Sequence, residues 1–581
     1  MAIKSTADKV ATIVQGYALE GPTIELGAAI VDGELRKEAP VRLPLAMMNR
    51  HGLVAGATGT GKTVTLHMIA EQLSTAGVPV FLADIKGDLS GLATAAAGSE
   101  KLLARTESLG QVWAGKTFPV EFLALGGDGN GIPVRATITS FGPILLSRVM
   151  DLNETQESSL QLVFHFADEK NLELIDLKDL RAVIQFLTSA EGKDELEELG
   201  GLSKATAGVI LRELITLEAQ GMEKFFGEPE FDTAELLRTA PDGRGVVSCL
   251  ELPTLQTKPM LFSTFLMWLL ADLFEDLPEA GDLDKPKLVF FLDEAHLLFN
   301  GASKAFLDAI TTTVRLIRSK GVGIFFVTQT PKDVPADVLG QLANRVQHAL
   351  RAYTPEDAKA LRATVSTFPT SDYDLEETLT TAGIGEAVIT VLNENGAPTP
   401  VALTRLRAPE SLMGPSTDEL IASTVAASAL LPKYGTAVDN VSAYEKIAAE
   451  SRENTGAAPT GPAAGTAHRS GAPDRARDGG QGGGLDPGAI DAEARRIEEE
   501  ILGRPSSRPA PAPRMPDQDT VPGRRAPRPA QPKAGAGGGI GGDLAGALGG
   551  GLQSMARSLG TQLGRELLRG VFGTSSKRRR R

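Results

Sequence analysis

An α/β fold, with a mainly parallel sheet and helices on both faces, is what this sequence predicts. Three observations predict it. The stretch Gly56-Ala57-Thr58-Gly59-Thr60-Gly61-Lys62-Thr63 follows an apolar run, Leu53-Val54-Ala55, and opens a helical stretch at 64–73. A second apolar run, Leu288-Val289-Phe290-Phe291-Leu292, ends in Asp293-Glu294. A third, Ile324-Phe325-Phe326-Val327, ends in Thr328-Gln329. Apolar runs without alternation are strands buried on both faces, and strands that alternate with helices pair in parallel through right-handed crossovers.

The elements follow in chain order. Residues 1–45 form a short β-rich segment, with strands at 10–14 and 23–26 and turns at Gly21-Pro22 and Asp32-Gly33. Residues 46–140 hold the first part of the core. After the glycine-rich loop and its helix, 78–84 is a buried strand that ends in Asp84, followed by the loop Ile85-Lys86-Gly87-Asp88. Further strands are expected at 119–125 and 134–138. Residues 141–236 change to helical spacing at 143–152, 154–166, 177–188 and 206–219, an insertion whose remainder, 192–200 included, reads as loop. Residues 237–415 resume the core, with a strand at 245–252, a buried helix at 259–274, the two apolar strands above with a helix at 306–320 between them, and a strand pair at 386–392 and 400–406. Residues 416–452 read as a helical extension. Residues 453–540 are rich in Gly, Pro, Ala and Arg and read as disordered. Residues 541–581 space leucines as an amphipathic helix and end in Lys577-Arg578-Arg579-Arg580-Arg581.

Bulk composition narrows the function classes. The chain has 581 residues and a net charge of −14, but residues 451–581 carry 21 Lys and Arg against 13 Asp and Glu. The body is therefore more acidic than the total, which argues against broad, constitutive nucleic-acid binding and leaves room for a local basic channel. One cysteine, Cys249, excludes an internal disulfide and fits a reducing cytosol. It lies in an apolar run and reads as a buried bystander. No leader opens the sequence and no apolar run is long enough to span a bilayer, so a cytoplasmic protein is expected.

The chemistry sits at the strand ends. Gly56 to Thr63 reads G-x-x-x-x-G-K-[ST], a phosphate-binding P-loop. Small residues let the backbone curl so that its N–H groups face a phosphate, and the helix N-terminus from Lys62 through Val64 adds positive potential. Lys62 reaches the β- and γ-phosphates, and the Thr63 hydroxyl holds Mg²⁺. This makes ATP and Mg²⁺ the expected cofactors. Asp293 ends its strand as a magnesium-positioning acid should, and Glu294 beside it is the candidate to orient or deprotonate the attacking water. Gln329 and Asp84 end their strands on the same predicted edge, within reach of the γ-phosphate, the lytic water or Lys86. A stabilising arginine near the γ-phosphate is worth about 10³–10⁵ in rate. Arg315, Arg318, Arg345 and Arg351 flank the Gln329 strand.

The runs GATGTGKT, ADIKGDLSGL, VFFLDEAHLLF and RSKGVGIFFVTQTPKDVP together resemble the HerA–FtsK superfamily of P-loop motor ATPases. GIPVRATI, GPILLSRVMDLNETQ, KFFGEPEFD and the tail RELLRGVFG resemble its YjgR-type, HerA-like branch. The resemblance implies a RecA-like core, Mg-ATP hydrolysis with Glu294 as the added catalytic glutamate, and a homo-oligomer, often a hexameric ring. In such a ring the neighbour supplies an arginine finger. Arg315 and Arg318 match the basic helix before the glutamine strand, and Arg345 the segment after it. Movement on DNA is likewise what the family implies. The sequence departs from it in one respect: about 45 residues precede the P-loop strand, where HerA helicases carry a barrel domain.

Three other functions share parts of this pattern. A P-loop switch or protein-remodelling ATPase needs no nucleic acid, and the acidic body favours it. A DEAH-box RNA helicase would need a second RecA-like lobe, and the stretch between Gln329 and the tail is too short for one. A small-molecule kinase would need a phosphoacceptor site, and none is evident.

Overall fold

The computed structural model describes residues 5–454 apart from 126–128, 199, 253–258, 282 and 301. The readings of a disordered stretch at 453–540 and an amphipathic helix at 541–581 lie, from residue 455 on, outside the described residues.

Among the described residues, twelve strands form one sheet. They are β1 (Thr23–Val31), β2 (Glu34–Pro44), β3 (Gly52–Ala55), β4 (Val80–Asp84), β5 (Val120–Leu125), β6 (Ile132–Val134), β7 (Val247–Glu251), β8 (Leu288–Leu292), β9 (Val322–Thr328), β10 (Asn344–His348), β11 (Glu386–Thr390) and β12 (Ala402–Leu406). The order is β2-β1-β12-β11-β10-β3-β9-β8-β4-β7-β5-β6. From β10 to β6 every pairing is parallel; from β10 to β2 every pairing is antiparallel. The strand that feeds the P-loop, β3, lies between β10 and β9, with β8 one place further on. Ala55 is in register with Thr328 and with Gln347, so the carboxyl ends of these strands share one edge.

Side-chain alternation explains why the parallel strands read as unbroken apolar runs. Leu53, Phe81, Phe290, Leu292, Ile324 and Phe326 face one layer, together with the helices Glu154–Glu169, Leu177–Thr188, Pro259–Asp276 and Lys304–Ile317. Val54, Leu82, Val289, Phe291, Phe325 and Val327 face the other, together with the P-loop helix Lys62–Thr75 and the amino-terminal elements. A strand covered on both sides has no face left for polar residues. The segment read as an insertion packs five helices over the first face, and its Phe225 makes edge contacts with Phe265 and Trp268 of the Pro259–Asp276 helix. Its helices start at capping residues: Asn153 and Asp176 form capping boxes with Gln156 and Asp179, and Ser203 accepts the Thr206 amide.

Four local expectations need correction. Residues 10–14 are not a strand but part of the helix Thr6–Gly16. The β-branched residues there suggest a strand, but a reciprocal capping box between Ser5 and Asp8 nucleates a helix and Ile13 packs into the core. The strand expected at 134–138 ends at Val134, and Ile138 opens the helix that Thr137 caps. The loop expected at 192–200 contains the helix Lys193–Glu198. Finally, β10 was absent from the strand reading: Asn344-Arg345-Val346-Gln347-His348 is polar at four of its five positions and lacks the apolar run that marks its neighbours. Cys249 is buried in β7, where burial raises its thiol, in keeping with a bystander. No described helix is long and apolar enough to cross a membrane.

Candidate nucleotide site

The P-loop curls because two of its glycines take left-handed backbone: Gly59 at φ +78° and Gly61 at φ +115°. Gly61 is the residue from which the helix Lys62–Thr75 starts. The loop is fixed from both sides. The Gly56 amide donates to Thr328 of β9 at 3.2 Å, the Ala57 amide to Ala349 just past β10 at 2.9 Å, and the Gly385 amide to the Thr60 carbonyl at 3.0 Å. His348, the last residue of β10, backs the loop: its Nε2 lies 2.8 Å from the Thr65 hydroxyl. Contact is so close that a Cβ on Gly56 would stand 2.4 Å from the His348 Cβ and 2.9 Å from the Thr60 hydroxyl. Gly56→Ala is therefore expected to cost about 1–3 kcal/mol by overpacking and to weaken nucleotide binding. Urea unfolding checks it; a loss under about 0.5 kcal/mol would show that the loop has slack.

The cradle fits a phosphate chain. Among the described residues no acceptor is found for the amides of Gly59, Gly61, Lys62 and Thr63, and these sit at a helix N-terminus, where an anion is stabilised. Lys62 is buried and donates only to the carbonyls of Gly56 at 2.8 Å and Ala57 at 3.3 Å, so its charge lacks an anionic partner within bonding distance. Burial lowers its pKa, and the carboxylates of Glu294 and Asp293 act against that.

Three neighbouring strands bring acids and an amide to the same edge. Asp293 follows β8 and is buried; burial raises its pKa to about 6, with Lys86 pulling the other way. Its Oδ1 accepts the Glu294 amide at 2.8 Å. Glu294 is 8% exposed and has a left-handed backbone at φ +46°. Its Oε1 bonds the Lys86 ammonium. Gln329 follows β9 directly and is exposed. Asp84 ends β4, and its carboxylate accepts the amides of Lys86, Gly87 and Leu89 at 3.1, 2.7 and 2.9 Å. Burial raises Asp84 to about 6. Its carboxylate thus shapes its own loop, with little capacity left over for a ligand. Among the described residues no group of three or more His, Cys, Asp or Glu side chains could hold a metal by itself. Mg²⁺ binds through one or two protein groups and the phosphates of its nucleotide; Thr63 and Asp293 are the residues that could hold it.

The arginines are distributed otherwise. Arg315 and Arg318 are exposed at the end of the helix that feeds the amino end of β9, the opposite edge from Lys62 in the same chain. Arg345 is the second residue of β10, in register with Leu53, and its guanidinium bonds the Leu342 carbonyl and Thr367. Arg351 stands just past β10 on the cradle's edge and is exposed, 3.3 Å from the Tyr353 hydroxyl. Sequence reasoning missed His348, which carries no motif, and the pairing of Lys86 with Glu294, although both residues lie within recognisable runs.

Three buried histidines surround the P-loop strand and helix. Burial lowers His51, His67 and His348 to about 4 each. His51 shows why it stays neutral: its Nδ1 accepts the Ile324 amide at 3.0 Å, which a protonated ring could not do. A histidine held below its unfolded value gives stability that is full above about pH 6.5 and is lost as pH falls toward 4. The drop in urea midpoint from pH 7 to pH 5 is therefore expected to shrink in His51→Asn. An unchanged drop would remove His51 from the account.

A family model described as "Helicase HerA-like C-terminal" matches residues 30–494. The chain is 23% identical over 375 residues to the DNA double-strand break repair helicase HerA of Saccharolobus solfataricus, a match that covers 62% of this chain and 66% of that one. Among solved structures it resembles the plasmid coupling protein TrwB in complex with the ATP analogue ADPNP: 15% identity, TM-score 0.46, 71% of this chain and 96% of that one. VirB4 of Thermoanaerobacter pseudethanolicus follows at 15% identity and TM-score 0.41, covering 67% of this chain and 97% of that one.

Proposed function

Because this chain belongs to the helicase HerA-like C-terminal family, we propose that it is a Mg²⁺-dependent ATP hydrolase that couples hydrolysis to movement on, or remodelling of, DNA. One observation carries the reading: a P-loop with unfilled amides shares a sheet edge with two buried acids on the second strand over. In this reading Lys62 and the amides of 56–63 bind the phosphates, with Val64 in the first helical turn. Thr63 and Asp293 hold the metal. Glu294 takes the proton of the attacking water, and Gln329 orients that water. Asp84 keeps the neighbouring loop in shape. Bound magnesium supplies charge neutralisation across the terminal phosphates.

Residues 46–140 and 237–415 act as the ATPase core, 141–236 as its insertion and 416–452 as an extension. The working form is a homo-oligomer in the cytoplasm, a hexameric ring if it follows the motor pattern. Arg315 and Arg318 suit a finger given in trans, because both are exposed and neither reaches the cradle of its own chain. Arg345 suits that role less well, being engaged with Thr367. DNA as substrate rests on the family and on the HerA relative, of which the chain spans 66%.

The acidic body favours a second reading, a nucleotide-controlled switch or protein-remodelling ATPase without a nucleic-acid track. ATP hydrolysis with and without duplex DNA separates the two. Stimulation of tenfold or more supports a DNA motor. Hydrolysis indifferent to every nucleic acid would remove DNA and leave the switch.

A further inference from the structure

We propose that Lys86 is a γ-phosphate sensor: it holds Glu294 while no triphosphate is bound and releases it when one is. The proposal rests on the ATPase reading above and adds a positioning residue to it.

The loop that carries Lys86 is built to present it. Asp84 accepts three backbone amides there, those of Lys86, Gly87 and Leu89, and Gly87 takes φ +80° to close the bend. The Lys86 side chain, 47% exposed, leaves this clamp and reaches across from β4 to the acid after the adjacent strand β8. Its ammonium bonds Glu294 Oε1. Among the described residues the other carboxylate oxygen, Oε2, is buried without a hydrogen bond, and His296 Nδ1 lies 3.2 Å away. Among the described residues Lys86 is thus the side chain hydrogen-bonded to the Glu294 carboxylate, with His296 beside it, and Lys86 is half in solvent on a flexible stem. A lysine of this kind can leave without any repacking of the core, which makes the pair a two-state element.

The same loop also faces the cradle: the Lys86 charge acts on Lys62 of the P-loop and on Asp293. Lys86 thus faces both the acid that would hold the metal and, through its bond to Glu294, the acid that would take the proton. A third phosphate on the cradle brings negative charge to the space between them, beside the Lys86 ammonium. A diphosphate stops short of it. With ATP the ammonium moves to the new oxygens, and the Glu294 carboxylate is freed from it. With ADP the pair stays closed.

The test compares the unsubstituted chain with Lys86→Met and Lys86→Arg, titrated with Mg-ADP and Mg-ATPγS by calorimetry. Thermal melts of each confirm the fold. Lys86→Met is expected to bind ADP within about twofold of the parent and to lose about tenfold in ATPγS affinity; Lys86→Arg keeps most of the difference. Equal weakening of both nucleotides would mean a structural ion pair, and no change in either would mean an idle one; both overturn the sensor. A parent that binds neither nucleotide would overturn the ATPase reading, and the sensor with it.

Discussion

Lys62→Ala is expected to reduce kcat/KM for ATP hydrolysis by about 10²–10⁴. The magnitude follows from what the ammonium has now and what it would gain. It is buried and donates to two neutral carbonyls, Gly56 and Ala57. A phosphate chain would replace those neutral acceptors with anionic oxygens, each such bond worth about 1.5–3 kcal/mol. Losing two of them costs about 3–6 kcal/mol in the transition state. The fold should survive, because alanine is a good helix former at the first position of the Lys62–Thr75 helix. Steady-state hydrolysis, with circular dichroism as the folding control, checks this. A folded Lys62→Ala that retains a tenth of the parent's activity would mean that the cradle is not where the triphosphate sits.

Glu294→Gln separates binding from chemistry. The amide keeps the size and shape of the carboxylate but cannot accept a proton at neutral pH. A positioned general base contributes about 10²–10⁴ in rate, so kcat should fall by that factor while ATP affinity holds. The buried setting of Glu294, 8% exposed, makes the substitution sensitive to environment and free of solvent bypass. Single-turnover hydrolysis beside equilibrium binding is the measurement. Near-parental turnover in Glu294→Gln would sink its role as base and move attention to Asp293 or Gln329. Loss of binding in the same variant would point instead to a role in holding the nucleotide.

The two substitutions differ in what the sequence could say about them. Lys62 is legible from eight consecutive residues, because a phosphate cradle is a local backbone shape and glycine spacing encodes it. Asp293 and Glu294 are legible because an apolar strand that stops at two acids is again a local pattern. The same locality misleads at 10–14, where β-branched residues suggested a strand and the capping box at Ser5 and Asp8 gave a helix.

What the sequence by itself determined is therefore the inventory: a P-loop after a buried strand, an acid pair and a glutamine after two more, helices between them, and an α/β class. The tertiary structure alone decided the neighbours. It set β10 beside the P-loop strand although no apolar run announced it, so that His348 meets Thr65 across 283 positions. It brought Lys86 to Glu294 across 208 positions. It set Arg315 and Arg318 before the amino end of β9, the opposite edge of the sheet from the P-loop. Periodicity and turn chemistry act over a few residues and can be read from a string. Strand order and ion pairing are settled by which apolar faces bury together and which charges are then left facing each other, and both exist only once the chain has closed on itself.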